Sequence, residues 1–133
     1  MKALVDTNIF LDVFLDREGL ADGSQAVLDF MEAHPGEGWI AWHTFANLYY
    51  IGAKLAGRRR TLQEIDAILD VFEVCPAGTA EAKAARLLRI PDFEDALQIA
   101  AAQSAGAERI ITRNTRDFAS SPVPAVSPEA FLR

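Results

Sequence analysis

Cysteine and histidine are almost absent from this sequence. The 133 residues include one cysteine, Cys75, and two histidines, His34 and His43. A single cysteine excludes an internal disulfide and a cysteine-based zinc cluster, and it fits a reducing compartment. The two histidines lack the partner spacing that a zinc site needs. Because Cys75 follows a hydrophobic segment, we interpret it as a core residue rather than a nucleophile.

Long apolar runs and nucleotide-binding motifs are also missing. No hydrophobic stretch approaches the roughly 18 residues that a membrane-spanning helix requires, and the amino terminus lacks the pattern of a leader peptide. We therefore expect a cytoplasmic protein with no membrane partner. Neither a P-loop nor a Gly-x-Gly-x-x-Gly fingerprint is present, which argues against a nucleotide cofactor.

Positive charge is in short supply. Thirteen Lys and Arg residues face nineteen Asp and Glu residues, so the net charge is −6. Nucleic-acid-binding domains are usually basic, because neutralising phosphates supplies much of their affinity. A nucleic-acid partner would therefore require locally concentrated positive charge or a second subunit. Two arginine groups are candidates, although each also fits a solvated surface: Arg58, Arg59 and Arg60, and then Arg109, Arg113 and Arg116.

What the sequence does contain is a regular alternation of strand-like and helix-like segments. A chain of this length accommodates one domain, and no linker, repeat or low-complexity segment divides residues 1–133. The alternation predicts an α/β fold with a mostly parallel central sheet that helices cover on both faces. We predict strands at residues 2–5, 39–42, 71–75, 109–112 and 123–126, and a helix that begins at the cap Thr61.

The first predicted strand ends abruptly in Asp6, within Leu4-Val5-Asp6-Thr7-Asn8. Parallel sheets place ligands outside the carboxyl ends of their strands, so Asp6 lies where a ligand would bind. Aspartate is also a good residue for capping a following helix. On its own, Asp6 fits a helix cap and a ligand equally well.

Three acids open a late helix in the segment Pro91-Asp92-Phe93-Glu94-Asp95-Ala96. The helix dipole favours acids in a first turn and Asp92 has the position of a cap, so Asp92 and Glu94 are better explained by structure. Asp95 lies on the face that continues into apolar residues. A carboxylate there is costly unless it is paired or bound to a cation, so we favour a functional role for Asp95.

A third polar group follows the predicted strand at residues 109–112. Thr112, Asn114 and Asp117 leave the same edge of the sheet as Asp6, although Asn and Asp are also common in loops for local reasons. Mg²⁺ prefers oxygen ligands and typically takes one or two carboxylates while it keeps several waters. Asp6, Asp95 and Asp117 meet that requirement.

Together, three motifs resemble those of the PIN domain family, in the same order and spacing over nearly the whole chain. They are Leu4-Val5-Asp6-Thr7-Asn8, Asp92-Phe93-Glu94-Asp95-Ala96 and Ile111-Thr112-Arg113-Asn114-Thr115-Arg116-Asp117-Phe118. The resemblance implies a three-layer α/β/α sandwich and a metal-dependent endoribonuclease. It also implies a VapC-like toxin that pairs with a cognate antitoxin protein, as many bacterial members of this size do.

Residue by residue, the resemblance implies that Asp6, Asp95 and Asp117 are catalytic and bind Mg²⁺ or Mn²⁺. We expect supporting residues around them, which comprise Asn8, Asn47, Asp92, Glu94, Thr112 and Asn114. RNA contacts would fall to Arg113 and Arg116, with Arg58 to Arg60 as further candidates. Family members usually carry glutamate where this chain has Asn47, and an amide cannot supply negative charge or act as a base. Glu94 or Asp92 could compensate for that difference.

Two other functions stay open. A HAD-like phosphatase also has an aspartate at the end of its first strand, but it needs a second aspartate where this chain has Asn8. A non-catalytic, PIN-like interaction module is the other alternative, because of Asn47. The apolar and aromatic segment 39–55 offers more hydrophobic surface than one small core needs, so we also expect a homodimer.

Overall fold

Five short strands alternate with seven α-helices in the computed structural model, which describes residues Met1 to Arg133. The strands are Ala3–Val5 (β1), Gly38–Ile40 (β2), Glu73–Val74 (β3), Arg109–Ile111 (β4) and Ala125–Val126 (β5). The helices are Thr7–Phe14 (α1), Ala21–Ala33 (α2), Trp42–Ala56 (α3), Arg58–Val71 (α4), Thr79–Leu87 (α5), Phe93–Ala105 (α6) and Pro128–Phe131 (α7). A 3₁₀ helix, Thr115–Phe118, follows β4. None of the helices is long and apolar enough to cross a membrane.

All five strands form one parallel sheet in the order β3-β2-β1-β4-β5. β1 lies in the middle, where Leu4 pairs with Trp39 of β2 on one side and with Ile110 of β4 on the other. The chain therefore places β2 and β3 on one side of β1 and then β4 and β5 on the other side, so the strand order reverses at β1. Open parallel sheets bind ligands at the carboxyl ends of their strands at such a reversal. The predicted parallel α/β sheet is confirmed, and its reversal point lies next to Asp6.

Side chains of the central strand alternate between two cores, one on each face of the sheet. Ala3 and Val5 are fully buried in a core shared with α1, α2, α3 and α4, whereas Leu4 is buried against α6. Successive side chains of a strand point to opposite faces, so a sheet covered on both faces needs strands that are apolar at every position. On the outside, α5 packs along α6 through Ala85. This arrangement is the predicted three-layer sandwich.

Helix α6 crosses the centre of the sheet and contacts β1, β2 and β4. Its buried face is rich in alanine, including Ala101, Ala102 and Ala105. Small side chains let a helix approach its neighbours closely, which brings the first turn of α6 near the ends of the central strands. The helix ends at Gly106, whose φ of 70° is a left-handed conformation that favours glycine.

Several predicted boundaries are wrong; Val71, for example, ends α4 instead of opening β3, and β5 begins at Ala125 instead of at residue 123. Trp42 begins α3 instead of ending β2, because an aromatic, apolar run does not by itself distinguish a strand from the start of a buried helix. The fourth helix begins at Arg58, and Thr61 lies inside it, where its hydroxyl donates a hydrogen bond to the Gly57 carbonyl at 2.8 Å. Gly57, with a φ of 91°, makes the tight turn between α3 and α4 without a capping side chain.

A buried ionic network joins the carboxyl-terminal part of the chain to the first two helices. Asp12 of α1 is 1% exposed, and its carboxylate accepts hydrogen bonds from Ser24 at 2.8 Å, Arg17 at 3.3 Å and Arg113 at 3.4 Å. Arg113 also donates to Glu129 of α7 at 2.6 Å. A buried carboxylate is tolerated when donors satisfy it in this way, and its removal leaves the opposite charge uncompensated.

Replacing Asp12 by alanine should therefore destabilise the fold by about 3 kcal/mol, as is typical of a broken buried ion pair. Urea denaturation followed by circular dichroism measures this change in the free energy of unfolding. Asp66→Ala is the matched control, because Asp66 is exposed on α4. It should change stability by less than about 0.5 kcal/mol. Equal stabilities of the two variants would contradict a structural role for the network.

Candidate active site

Asp6 lies between the end of β1 and the start of α1 and is 3% exposed. One carboxylate oxygen accepts a hydrogen bond from the Thr7 backbone N–H at 2.8 Å, which makes Asp6 the cap of α1. The other oxygen accepts from the Thr112 hydroxyl, directly after β4, also at 2.8 Å. Asp6 is therefore a helix cap and a sheet-edge carboxylate at once, so the cap alone does not account for it.

Burial raises the pKa of Asp6 to about 6, because the charged carboxylate has lost its contacts with water. The hydrogen bonds from Thr112 and Thr7 lower this pKa without cancelling the shift, and nearby His43 lowers it too. The negative charge of Glu94 raises it further. Ionisation of Asp6 therefore lowers the stability of the folded protein when no cation is bound nearby.

Asp95 lies in the first turn of α6, beside the cap residue Asp92, whose side chain accepts a hydrogen bond from the Glu94 backbone N–H at 2.8 Å. Burial raises the pKa of Asp95 to about 7, and four further carboxylates push it in the same direction. In decreasing order of effect, they belong to Asp92, Glu94, Asp6 and Asp117. Four acids from the three motifs therefore lie close enough to Asp95 to repel its negative charge.

An open pocket of about 350 Å³ lies beside these acids. Asp92 and Asp95 of the α6 turn line it, together with Arg116 and Asp117 of the 3₁₀ helix. Asp117 is exposed, in contrast to the buried Asp6. The structure thus brings Asp95 and Asp117 to one pocket, with Asp6 in electrostatic range of Asp95.

The donor set fits a hard divalent cation. No three acidic, histidine or cysteine side chains lie close enough together to form a preassembled chelating cage. Mg²⁺ does not need such a cage, because it usually takes one or two carboxylates and keeps several waters. A cation would also relieve the repulsion among the five acids. The oxygens of Asp6, Asp95 and Asp117 fit this mode of binding.

The cysteine and the two histidines lie at three different places. The ring of His34 stacks on Phe30 in α2, with 3.9 Å between ring centroids. His43 of α3 contacts Glu94. Cys75 is buried and, as predicted, is a core residue; burial raises the pKa of its thiol to about 12.

A polar network that the sequence analysis missed connects the acids to the helices around them. Gln98 of α6 is fully buried, and its amide nitrogen lies 3.2 Å from the hydroxyls of both Thr7 and Thr44. The same nitrogen lies 3.1 Å from a carboxylate oxygen of Glu94, to which His43 donates at 2.6 Å. The i, i+4 spacing of Glu94 and Gln98 was a signal in the sequence for part of this network.

The predicted supporting residues divide into two groups. Thr112 contacts Asp6 directly and accepts a hydrogen bond from the Asn114 backbone N–H at 3.1 Å. The side-chain oxygen of Asn8 instead accepts a hydrogen bond from Arg17 at 3.2 Å. Asn47 is half-buried one turn after His43 on α3, and neither its side chain nor that of Asn114 hydrogen-bonds to a carboxylate of the site.

The predicted RNA-binding arginines also differ from one another. Arg113 has internal partners: besides Asp12 and Glu129, it donates to the Leu20 carbonyl at 2.8 Å and to Ser24 at 3.1 Å. The structure thus gives Arg113 a role in holding the fold together. Arg116 is exposed on the wall of the acidic pocket. The run from Arg58 to Arg60 begins α4, at the opposite end of α3 from His43.

Without a divalent cation, the raised pKa values of Asp6 and Asp95 predict that stability increases as the pH falls from about 8 to about 5. In this range the folded protein binds protons that the unfolded chain, with a carboxyl pKa of 3.8, does not bind. The stabilisation is therefore lost as the pH rises through 6 and 7. We expect a melting temperature about 5 °C higher at the acidic end, measured in the presence of a chelator.

Asp95→Asn should reduce this pH dependence, because the amide does not titrate and only the contribution of Asp6 remains. Asp66→Asn, on the exposed face of α4, should leave it unchanged. If the melting temperature of the native chain decreased as the pH was lowered from about 8 to about 5, that result would contradict the raised pKa values.

Several known proteins are similar to this chain. A family model described as PIN domain matches residues 2–116. Ribonuclease VapC1 of Aquifex aeolicus (strain VF5) is 26% identical over 135 residues, which cover 98% of this chain and 92% of that protein. A chain in a toxin-antitoxin complex from Klebsiella pneumoniae is 30% identical, with a TM-score of 0.73 and coverage of 96% of this chain and 98% of that one.

The same architecture recurs in a more distant protein. VapBC2 from Rickettsia felis, in a crystal structure bound to a DNA fragment from its promoter, contains a chain with a TM-score of 0.75 and 18% identity. The match covers 96% of this chain and 98% of that one, and at this identity it shows a shared fold alone. Asp6 and Asp95 lie within the residues that the family model matches, and Asp117 follows directly after them. The chain belongs to the PIN domain family.

Proposed function

We propose that this protein is a divalent-metal-dependent endoribonuclease and the toxin of a toxin-antitoxin pair. The observation that carries the proposal is the concentration of carboxylates around Asp95, four of which raise its pKa in addition to burial. Acids gathered at the carboxyl edge of a parallel sheet repel one another unless a cation lies among them. The similarity to a protein named Ribonuclease VapC1 supports RNA as the substrate.

Asp6 and Asp95 are the residues that we expect to hold Mg²⁺ or Mn²⁺, with Asp117 as a third acid on the pocket wall. A bound divalent cation would lower the pKa of a water and neutralise charge on the phosphate that is attacked. Thr112 keeps one oxygen of Asp6 in place by its hydrogen bond. Asp117, exposed beside the pocket, is suited to orient the attacking water.

Contact with the RNA backbone falls to Arg116 in this proposal. It is exposed and lies on the wall of the same pocket as Asp95 and Asp117. Arg113 is left out, because its guanidinium already has internal acceptors. Phosphate contacts by arginine make binding depend on salt, so cleavage should slow as ionic strength rises.

Two protein partners belong to the proposal. A cognate antitoxin protein is supported by the similarity to a chain from a toxin-antitoxin complex. A homodimer is supported by large apolar side chains that the fold leaves exposed on α3, where Trp42 is 68%, Tyr50 75% and Leu55 65% exposed. Exposed apolar side chains gathered on one helix are typical of a protein–protein contact surface.

The test is cleavage of an end-labelled, structured RNA by the purified protein, with Mn²⁺ or with a chelator. We expect the native chain to cleave the RNA with Mn²⁺ but not with the chelator. Asp95→Asn should not cleave it under either condition. Glu108→Gln is the matched control, because it also removes one negative charge. Glu108 directly precedes β4, at the amino ends of the strands and away from the acidic pocket. Arg116→Ala should raise KM and reduce the slope of log affinity against log salt by about one.

The other outcomes identify the alternatives. Hydrolysis of a small phosphomonoester without RNA cleavage would favour a phosphatase. Absence of both activities, in a protein that still binds RNA or a protein partner, would favour a non-catalytic interaction module. Equal RNA cleavage by Asp95→Asn and Glu108→Gln would contradict the proposed active site.

A further inference from the structure

Glu94 is held in a way that a helix-terminal acid does not require. One of its carboxylate oxygens, Oε2, accepts hydrogen bonds from His43 at 2.6 Å and from Gln98 at 3.1 Å. The two donors come from different helices, and Gln98 is itself fully buried. An acid in the first turn of a helix already gains from the helix dipole, and Asp92 already caps this helix. The helix dipole and the Asp92 cap therefore do not account for the contacts of Glu94 with His43 and Gln98.

Both fixed contacts converge on Oε2, and the other oxygen, Oε1, accepts no hydrogen bond from the protein. The side chain is 39% exposed, so an unconstrained glutamate at this position would be free to move in solvent. His43 must act as the donor, because a carboxylate only accepts hydrogen bonds. His43 and Gln98 thus fix the carboxylate and leave Oε1 available.

The position of this fixed charge is unfavourable in the absence of a cation. Glu94 directly precedes Asp95 in the first turn of α6, and Gln98, which donates to Glu94, also lies 3.2 Å from the hydroxyl of Thr7, the residue after Asp6. A clamp between α3 and α6 whose only role was to stabilise the fold would not be expected to repel two neighbouring carboxylates. Fixed negative charge next to other fixed negative charges is expected where a cation binds.

We infer that Glu94 is a further acid of the cation site, held ready by His43 and Gln98, and that it strengthens divalent-cation binding at Asp6 and Asp95. Glu94 acts through a bound water or through its charge, and His43 is a positioning residue that acts through Glu94. This inference rests on the proposed function, because it needs the cation site to exist.

The test is isothermal titration of the intact, metal-free protein with Mn²⁺, which requires no RNA. Glu94→Gln keeps the shape of the side chain and an oxygen that can accept from His43, but it removes the charge. We expect it to weaken Mn²⁺ binding by about 10- to 100-fold, as is typical when a group supporting a metal site is removed. Glu108→Gln, at the opposite edge of the sheet, should bind Mn²⁺ as the native chain does.

Two further measurements separate this role from a structural one. The metal-free melting temperature of Glu94→Gln should be unchanged or higher, because the substitution removes repulsion. His43→Ala should weaken Mn²⁺ binding in the native chain and should add no further loss in the Glu94→Gln background, since coupled residues are not additive. A further loss in that double variant would overturn the role of His43.

The possible failures are distinguishable. If the native chain binds no Mn²⁺, the proposed metal-dependent function fails and this inference fails with it. If the native chain and Glu94→Gln bind Mn²⁺ equally, this inference alone is overturned. Equal binding together with a lower metal-free melting temperature would identify Glu94 as a structural clamp.

Discussion

Repulsion among carboxylates at the carboxyl edge of the sheet is the constraint on which the arrangement of this site depends. Asp95 lies close enough to four other acids for each of them to raise its pKa, and Asp6 is both buried and close to Glu94. Such a group of charges weakens a metal-free fold. A protein that keeps it must stabilise these acids by other contacts, and in the proposed function their proximity serves to bind a divalent cation.

The fold provides those contacts from several elements. A backbone N–H of α1 and the Thr112 hydroxyl after β4 satisfy the two oxygens of Asp6. The amino terminus of α6 favours the acids in its first turn through the helix dipole, and the buried Gln98 ties that turn to Thr7 and Thr44. The alanine-rich face of α6 lets this turn lie near the strand ends. The site therefore depends on how closely α6 packs on the sheet.

Much of this could be predicted from the sequence, because it follows from local pattern and from the rules of parallel sheets. Strand–helix alternation predicted the mostly parallel sheet with helices on both faces, and strand-end reasoning placed Asp6 and Asp117 at one edge. Asp95 was predicted from its position on the apolar face of its helix, and the resemblance to the PIN domain family implied its role beside the other two acids. The start of α3 at Trp42 was missed, because a short apolar run fits both a strand and a helix.

The contacts of long side chains could not be predicted in the same way. Arg113 and Arg116 are three residues apart in the segment after β4, yet Arg113 reaches the buried Asp12 and Arg116 lines the acidic pocket. Their roles depend on the placement of α1, α2 and α7, which no pattern near residue 113 encodes. The same holds for His43 and Glu94, whose contact joins residues 51 positions apart.

In the proposed active site, the acids oppose one another until a divalent cation joins them. The most direct test is the melting temperature at about pH 8, with and without Mn²⁺, of the native chain and of the double variant Asp6→Asn, Asp95→Asn. We predict that Mn²⁺ raises the melting temperature of the native chain but not that of the double variant. Without metal, the double variant should have the higher melting temperature. No effect of Mn²⁺ on the native chain, together with equal metal-free stabilities, would contradict it.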